Sequence, residues 1–277
     1  GDKSLKTIQP SDPACPVAVK GNGLSAPQFL DINGDGIPDM VYAGDLCGNI
    51  WKFDISSTTA SNWGVAFGGT PLFTAQYTNS ATGSSSRQPI TTAPVLRPNR
   101  KVGGLMVAFG TGQNLTEGDR TEKSVQTVYS VLDNTRYTVE TTGADKGRVR
   151  IKTSAPTPSP VSNGRSDLLK QDVINGASAG TAGDKASLGR EFWKLSTEEV
   201  TYVCEAGDTV CEAKIKKGWY LDLPMAGERV TKNIGFFDGS NILEIMSEVP
   251  ASGSATAGGD EVCAPQPSVA KPFRTLI

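Results

Sequence analysis

Apolar and polar residues alternate over short stretches of this chain, and glycine or proline punctuates almost every one. Residues 40–54 read MVYAG, DLCGN, IWKFD: an apolar run, a glycine-bearing turn, and a second run in which apolar and polar positions alternate. Alternation with period two sends successive side chains to opposite faces of a strand, so the pattern predicts a β-hairpin. A related order returns 67 residues later. SAPQF at 25–29 parallels TAPVL at 92–96, MVYAGD at 40–45 parallels MVAFGTG at 106–112, and IWKFD at 50–54 parallels VYSVLD at 128–133. The second copy carries the longer insertion QNLTEGDRTEKSV between its strands.

The shared order is apolar strand, glycine turn, then an aromatic-bearing strand that ends in Asp. It matches the inner strands of β-propeller blades. Further strands are predicted at Tyr137–Thr141, Arg148–Lys152, Phe192–Leu195, Trp219–Leu223, Asn233–Phe237 and Ile242–Met246. A short helix is predicted over Ser166–Val173, capped by Ser166 with Leu168, Leu169 and Val173 on one face. Residues 154–190 begin with SAPTPSPVSN and read as a linker or insertion, and residues 251–262 as a flexible loop. The expected class is all-β, a modified β-propeller over residues 1–277 with an acidic loop between strands. A complete propeller needs at least four blades, and the three or four hairpins here suggest either an incomplete ring or a fragment whose remaining blades come from sequence cut away. The start GDKSLKTIQP and the apolar end KPFRTLI read as cuts through a larger protein.

Composition narrows the function. The 277 residues hold 31 Gly and 17 Pro, which suits many short strands and turns. Charge is nearly balanced, 27 basic against 29 acidic residues, so nucleic acid is not an expected partner. The alternating Arg148, Arg150 and Lys152 read as the solvent face of one strand. No histidine is present, which removes the commonest general base and most transition-metal sites and argues against an enzyme. No apolar run approaches the roughly 20 residues that cross a bilayer as a helix, so an integral membrane protein is not expected.

None of the five cysteines lies in a C-x-x-C pattern. Cys204 and Cys211 bracket the polar, turn-like EAGDTV and form the first candidate disulfide. Cys15 and Cys47 flank an acidic loop and form the second. Cys263 is left over. Polar settings around Cys204, Cys211 and Cys263 favour an oxidising compartment.

The acidic loop is DINGDGIPD, residues 31–39. Its oxygen-bearing side chains fall at alternate positions: Asp31, Asn33, Asp35, then Asp39. Calcium takes six to eight oxygens at about 2.3–2.6 Å, and a chain wrapped around one ion presents every second residue inward. Gly34 and Gly36 permit the tight turn, and Ile37 would offer its carbonyl. An EF-hand is not expected. Its closing Glu would stand where Tyr42 stands, and Pro38 with the strand MVYAG replaces the exiting helix. A solvated turn needs one or two such residues rather than four.

The run DINGDGIPDMVYAGDLCGNIWKFDI resembles the calcium loop and following hairpin of the PilC/PilY family, tip-associated proteins of bacterial type IV pili. VAFGTGQNL at 107–115, VYSVLDN at 128–134 and KKGWYLDLPMAGERV at 216–230 resemble the same family's C-terminal propeller domain. The likeness spreads over residues 25–250. It implies an exported protein that passes through the periplasm to the pilus tip or cell surface. Such a protein works with minor pilins, promotes pilus assembly and extension over retraction, and supports twitching motility. It also implies adhesion to a host or environmental surface receptor. Asp31, Asn33, Asp35, Ile37 through its carbonyl, and Asp39 match the family's calcium ligands. The Arg-Gly-Asp tripeptide of some members does not occur here.

Two other readings stay open at this point. A quinoprotein (PQQ) dehydrogenase propeller has blades compatible with GNIWKFD, and an integrin-like interaction propeller would repeat the aspartate loop in several blades. Of the four tryptophans, Trp51 and Trp219 sit in alternating strands and are expected in the core. Trp63, in ASNWGVAFGG, is the candidate for ligand contact.

Overall fold

A computed structural model describes residues 7–15, 21–154, 156–174, 184–185, 191–196, 198–251 and 270–277 of the chain. The predicted hairpin forms. β1 (Gln28–Leu30), β2 (Met40–Gly44) and β3 (Asn49–Asp54) pair antiparallel in chain order, and β4 (Gly64–Val65) and β5 (Phe73–Thr74) both add to β3. The β2–β3 turn needs Gly48, at φ 78°, where a Cβ would stand 2.7 Å from the carbonyl oxygens of Ala75 and Gln88. β6 (Gln76–Thr78) and β7 (Ser85–Arg87) make a separate ribbon. The second copy of the pattern builds β8 (Val95–Pro98), β9 (Leu105–Gly110) and β10 (Thr127–Asp133), again antiparallel in order. β11 (Tyr137–Val139) and β12 (Val149–Ile151) form a hairpin beyond β10.

Later segments complete this second sheet and start a third. β13 (Leu169–Gln171) is a short edge strand, and β14 (Asp184–Lys185) pairs with β15 (Glu191–Phe192). β16 (Gly218–Asp222) lies between β13, to which it is parallel, and β10, to which it is antiparallel. β17 (Gly235–Phe236), β18 (Leu243–Val249) and β19 (Lys271–Leu276) make the third sheet.

The period-two pattern explains how the sheets stack. Met40, Tyr42 and Ile50 of the first sheet pack with Val107, Phe109, Tyr129 and Val131 of the second in one core. The intervening residues face the other way. Trp51, Phe53 and Ala43 cluster on the outer face of the first sheet, while Ala108 and Val128 meet Leu243 and Ile245 of the third. The second sheet is thus covered on both faces, as a blade between two blades. Burying a large side chain in such an interface contributes about 1.5–3 kcal/mol, which is what holds the stack together.

Three expectations change. The predicted helix Ser166–Val173 is a 3-10 turn over Gly164–Asp167 followed by β13. Nucleating so short a helix is unfavourable, whereas pairing Leu169 with Trp219 gives the same residues a ladder and leaves Leu168 buried in the first core. The predicted strand Phe192–Leu195 begins earlier, at Glu191, and Leu195 contributes an isolated bridge to Val173. The predicted strand Asn233–Phe237 is reduced to Gly235–Phe236, because Phe237 starts a 3-10 turn in which Asp238 takes φ 43°. Within the stretch expected as a linker, Val161 is buried and donates its N–H to Leu72 O at 2.8 Å. Cys263 and nearly all of the expected flexible loop 251–262 lie outside the described residues.

Candidate functional site

DINGDGIPD joins the ends of two paired strands. Leu30 and Met40 are register partners, and the Asp39 N–H donates to Leu30 O at 2.8 Å, so the base of the loop is closed by the sheet itself. Inside it the side-chain oxygens receive backbone amides in succession. Asp31 accepts from the N–H groups of Gly34 at 2.7 Å and Gly36 at 2.8 Å. Asn33 Oδ1 accepts from Asp35 N–H at 3.0 Å, and Asp35 Oδ1 from Ile37 N–H at 2.8 Å. Asp39 Oδ2 accepts from Ile32 N–H at 2.8 Å. Gly34 at φ 76° and Gly36 at φ 85° make the winding possible, since a residue with a Cβ is strained there. The Ile37 side chain is exposed and carries no oxygen, so its carbonyl is the one donor it offers to a cation.

The electrostatics fit a cation. Among the described residues, none of Asp31, Asp35 or Asp39 has a Lys or Arg within ion-pair distance. Asp39 is raised above its ordinary value, chiefly by burial, and the negative charges of Asp35 and Asp31 add to the rise. Asp31 is held below its ordinary value, first by the Gly36 N–H, against the effect of burial. Each carboxylate has about four lone-pair sites, so amide bonds do not exhaust them. In this arrangement the side chains do not converge as a finished cage. Among the described residues, no group of three or more His, Cys, Asp or Glu is placed to hold a metal as it stands. The donor set suits calcium, and each carboxylate keeps lone pairs beyond those its backbone amides occupy.

The loop faces a cleft of about 440 Å³, lined by Leu30, Asp31 and Ile32 on one side and by Arg136, Tyr137 and Lys152 on the other. Asn33 Nδ2 donates to Asp35 Oδ2 at 2.9 Å and, across 114 positions of sequence, to Gly147 O at 2.8 Å.

Sequence reasoning missed what lies behind this cleft. Lys52 is 1% exposed and Asp133 fully buried, and Lys52 Nζ lies 2.7 Å from Asp133 Oδ2. Tyr42 donates its hydroxyl to the same oxygen at 2.7 Å, and Thr135 holds Oδ1 through its N–H at 2.9 Å. The ring of Phe67, a residue at φ 54°, covers the ammonium at 5.0 Å. Burial pushes the Asp133 carboxyl up, but Lys52, Thr135 and Tyr42 outweigh it and hold it below its ordinary value. Arg165 forms a second polar centre, with its guanidinium 4.6 Å over Tyr220 and paired to Asp222. Both join segments far apart in the chain, and no local pattern announces them.

The remaining candidates resolve as follows. Both cysteine pairs form, Cys15–Cys47 with Cα atoms 5.7 Å apart and Cys204–Cys211 at 5.8 Å. Arg148 and Arg150 lie on the outside of the β11–β12 hairpin, both paired to Asp145. Trp51 is buried, Trp219 packs on the second core, and Trp63 donates Nε1 to Ser57 O at 2.6 Å. A larger cavity, about 1070 Å³, lies between the second and third sheets and is lined by Met106, Trp193, Trp219, Phe236 and Phe273 among others. Among the described residues no helix is long and apolar enough to cross a membrane.

A family model described as the PilY1 beta-propeller domain matches residues 17–154, the span that holds the acidic loop and the repeated strand pattern. The type IV pilus biogenesis factor PilY1 of Pseudomonas aeruginosa is 32% identical over 226 residues, covering 74% of this chain and 17% of that protein. A PilY1 homolog of Xylella fastidiosa is 32% identical over 177 residues, 64% of this chain and 12% of the relative. The chain therefore spans a small part of the curated relatives it matches. The crystal structure of the Pseudomonas aeruginosa PilY1 C-terminal domain aligns with a TM-score of 0.60 at 27% identity, covering 83% of this chain and 45% of that one.

Proposed function

The chain belongs to the PilY1 β-propeller family of type IV pilus biogenesis factors, and from that premise we propose that it is a calcium-binding part of a pilus-tip protein. It works with minor pilins at the cell surface, favours pilus assembly and extension over retraction, and supports adhesion and twitching motility. The observation that carries the calcium reading is the set Asp31, Asn33, Asp35 and Asp39 on one strand-closed loop, its three carboxylates free of any described counter-cation. These side chains and the Ile37 carbonyl would hold the ion. Bound calcium would supply positive charge against the Asp35 and Asp31 charges, which add to the rise that burial chiefly produces at Asp39. The chain's own part is to fix the loop ends through the Leu30–Met40 pairing, so that few ordering costs remain when an ion binds. The relatives are named as pilus factors, which favours this reading over a quinone-dependent dehydrogenase.

Calorimetric titration with calcium tests it. A single site is expected with a dissociation constant between about 10⁻⁶ and 10⁻³ M, lost in Asp35→Ala and in Asp39→Ala. Asp35 is exposed, so the first variant retains the fold. No heat, together with a melting temperature indifferent to calcium and chelator, would reduce the loop to a turn.

A further inference from the structure

We infer that Asn33 joins the calcium loop to the β11–β12 hairpin, so that docking of the hairpin on the first sheet follows calcium occupancy. The inference rests on the calcium reading above and adds to it a route by which the ion acts on the rest of the protein.

An asparagine side chain has two distinct ends, an oxygen that accepts and an NH₂ group that donates twice. Here the oxygen turns into the loop and takes Asp35 N–H, while the nitrogen bridges outward from Asp35 Oδ2 to Gly147 O. Among the described residues the bond to Gly147 is the one hydrogen bond between residues 31–39 and the hairpin; elsewhere the cleft of about 440 Å³ separates them. Gly147 in turn closes the hairpin, taking φ 87° and donating its N–H to Glu140 O at 2.7 Å. The exposed tip carries Glu140, Asp145, Arg148 and Arg150, which pair with one another rather than with the body of the protein. The Asn33 bond is therefore placed to decide how firmly the tip is held.

Its strength depends on what the other end of the amide faces. Without an ion, the two N–H groups of Asn33 are shared between Asp35 Oδ2 and Gly147 O. An amide oxygen that faces a cation turns its N–H groups away from it, and the polarised N–H is the better donor. Occupancy thus draws Asp35 Oδ2 onto the ion, strengthens the existing Asn33 bond to Gly147 O and fastens the hairpin.

Amide hydrogen exchange read by mass spectrometry over residues 137–151 tests this, with calcium or chelator, alongside calorimetry on the same samples. Calcium is expected to slow exchange around Glu140–Val149 about fivefold, since a polarised donor adds to the bond about as much as a neutral hydrogen bond contributes. Asn33→Asp keeps an oxygen at the position and removes the donor. Measured at calcium saturation, as fixed by its own titration, it is expected to leave the hairpin exchanging at least as fast as in the calcium-free parent chain. Calcium binding by the unmodified chain with unchanged hairpin exchange overturns the coupling while leaving the calcium site standing. The same slowing in Asn33→Asp removes Asn33 as the link. No calcium heat in the unmodified chain overturns both readings.

Discussion

Lys52 shows how a single residue can escape the local pattern around it. In IWKFD it alternates with Trp51 and Phe53, and alternation next to apolar neighbours reads as a solvent face. Both faces of β3 are in fact covered, and the ammonium ends between sheets on Asp133 and Thr135. The partners lie more than eighty positions away in sequence, so no window of the chain could reveal them. Removing one member of a buried ion pair leaves the other charged and unpaired, at a cost of about 3–5 kcal/mol. Asp133→Asn and Lys52→Met should each lose about that much in chemical denaturation, and the double variant should lose clearly less than the sum. Equal additive losses would mean that the two do not act as a pair. The pH dependence has a definite sign. Asp133 is depressed in the folded state, so its contribution is present above the unfolded carboxylate value of about 4 and is lost as pH falls through the folded value. Melting temperature followed downward from pH 5 should therefore fall less steeply in Asp133→Asn than in the parent chain.

Elements were more legible than their partners. The two strand triplets read from repeated apolar runs became β1–β2–β3 and β8–β9–β10, because a buried strand must alternate and its turn must use residues that permit it. The acidic loop was legible for the same reason: all its groups lie within nine residues. Segment 166–173 failed because tertiary pairing with β16 overrode a weak local preference. Gly48 offers a test of what the DLCGN turn contributes. Its left-handed backbone and the two carbonyl oxygens 2.7 Å from a Cβ position leave no room for a side chain. Gly48→Ala should destabilise the chain by more than about 2 kcal/mol in urea unfolding. Gly34→Ala has open space around its Cβ and should pay mainly the cost of positive φ. Equal losses at the two sites would show that the close approach around Gly48 contributes little.

At the scale of the whole molecule, the two interfaces between sheets differ in kind. The first and second sheets share a continuous apolar core, and the Lys52–Asp133 pair adds a polar tie between them. The second and third sheets meet in a smaller core, beside the cavity of about 1070 Å³. Side chains that line empty space forgo dispersion contacts on that side. One of them, Trp193, also buries its indole N–H without a partner, which costs about 1–3 kcal/mol. At the far edge, Pro272 has no N–H to offer a further strand. Regions with few buried apolar contacts open at lower free energy than the global unfolding reaction. The third sheet should therefore be the first unit to open. In native-state exchange, amides of β18 bonded to β17 and β19 should exchange at least tenfold faster than those joining β9 to β10. Their exchange should also respond weakly to denaturant, as expected for a local opening. If β18 instead exchanges together with β10 and with the same denaturant dependence, the stack unfolds as one unit, and the cavity interface is as strong as the packed one.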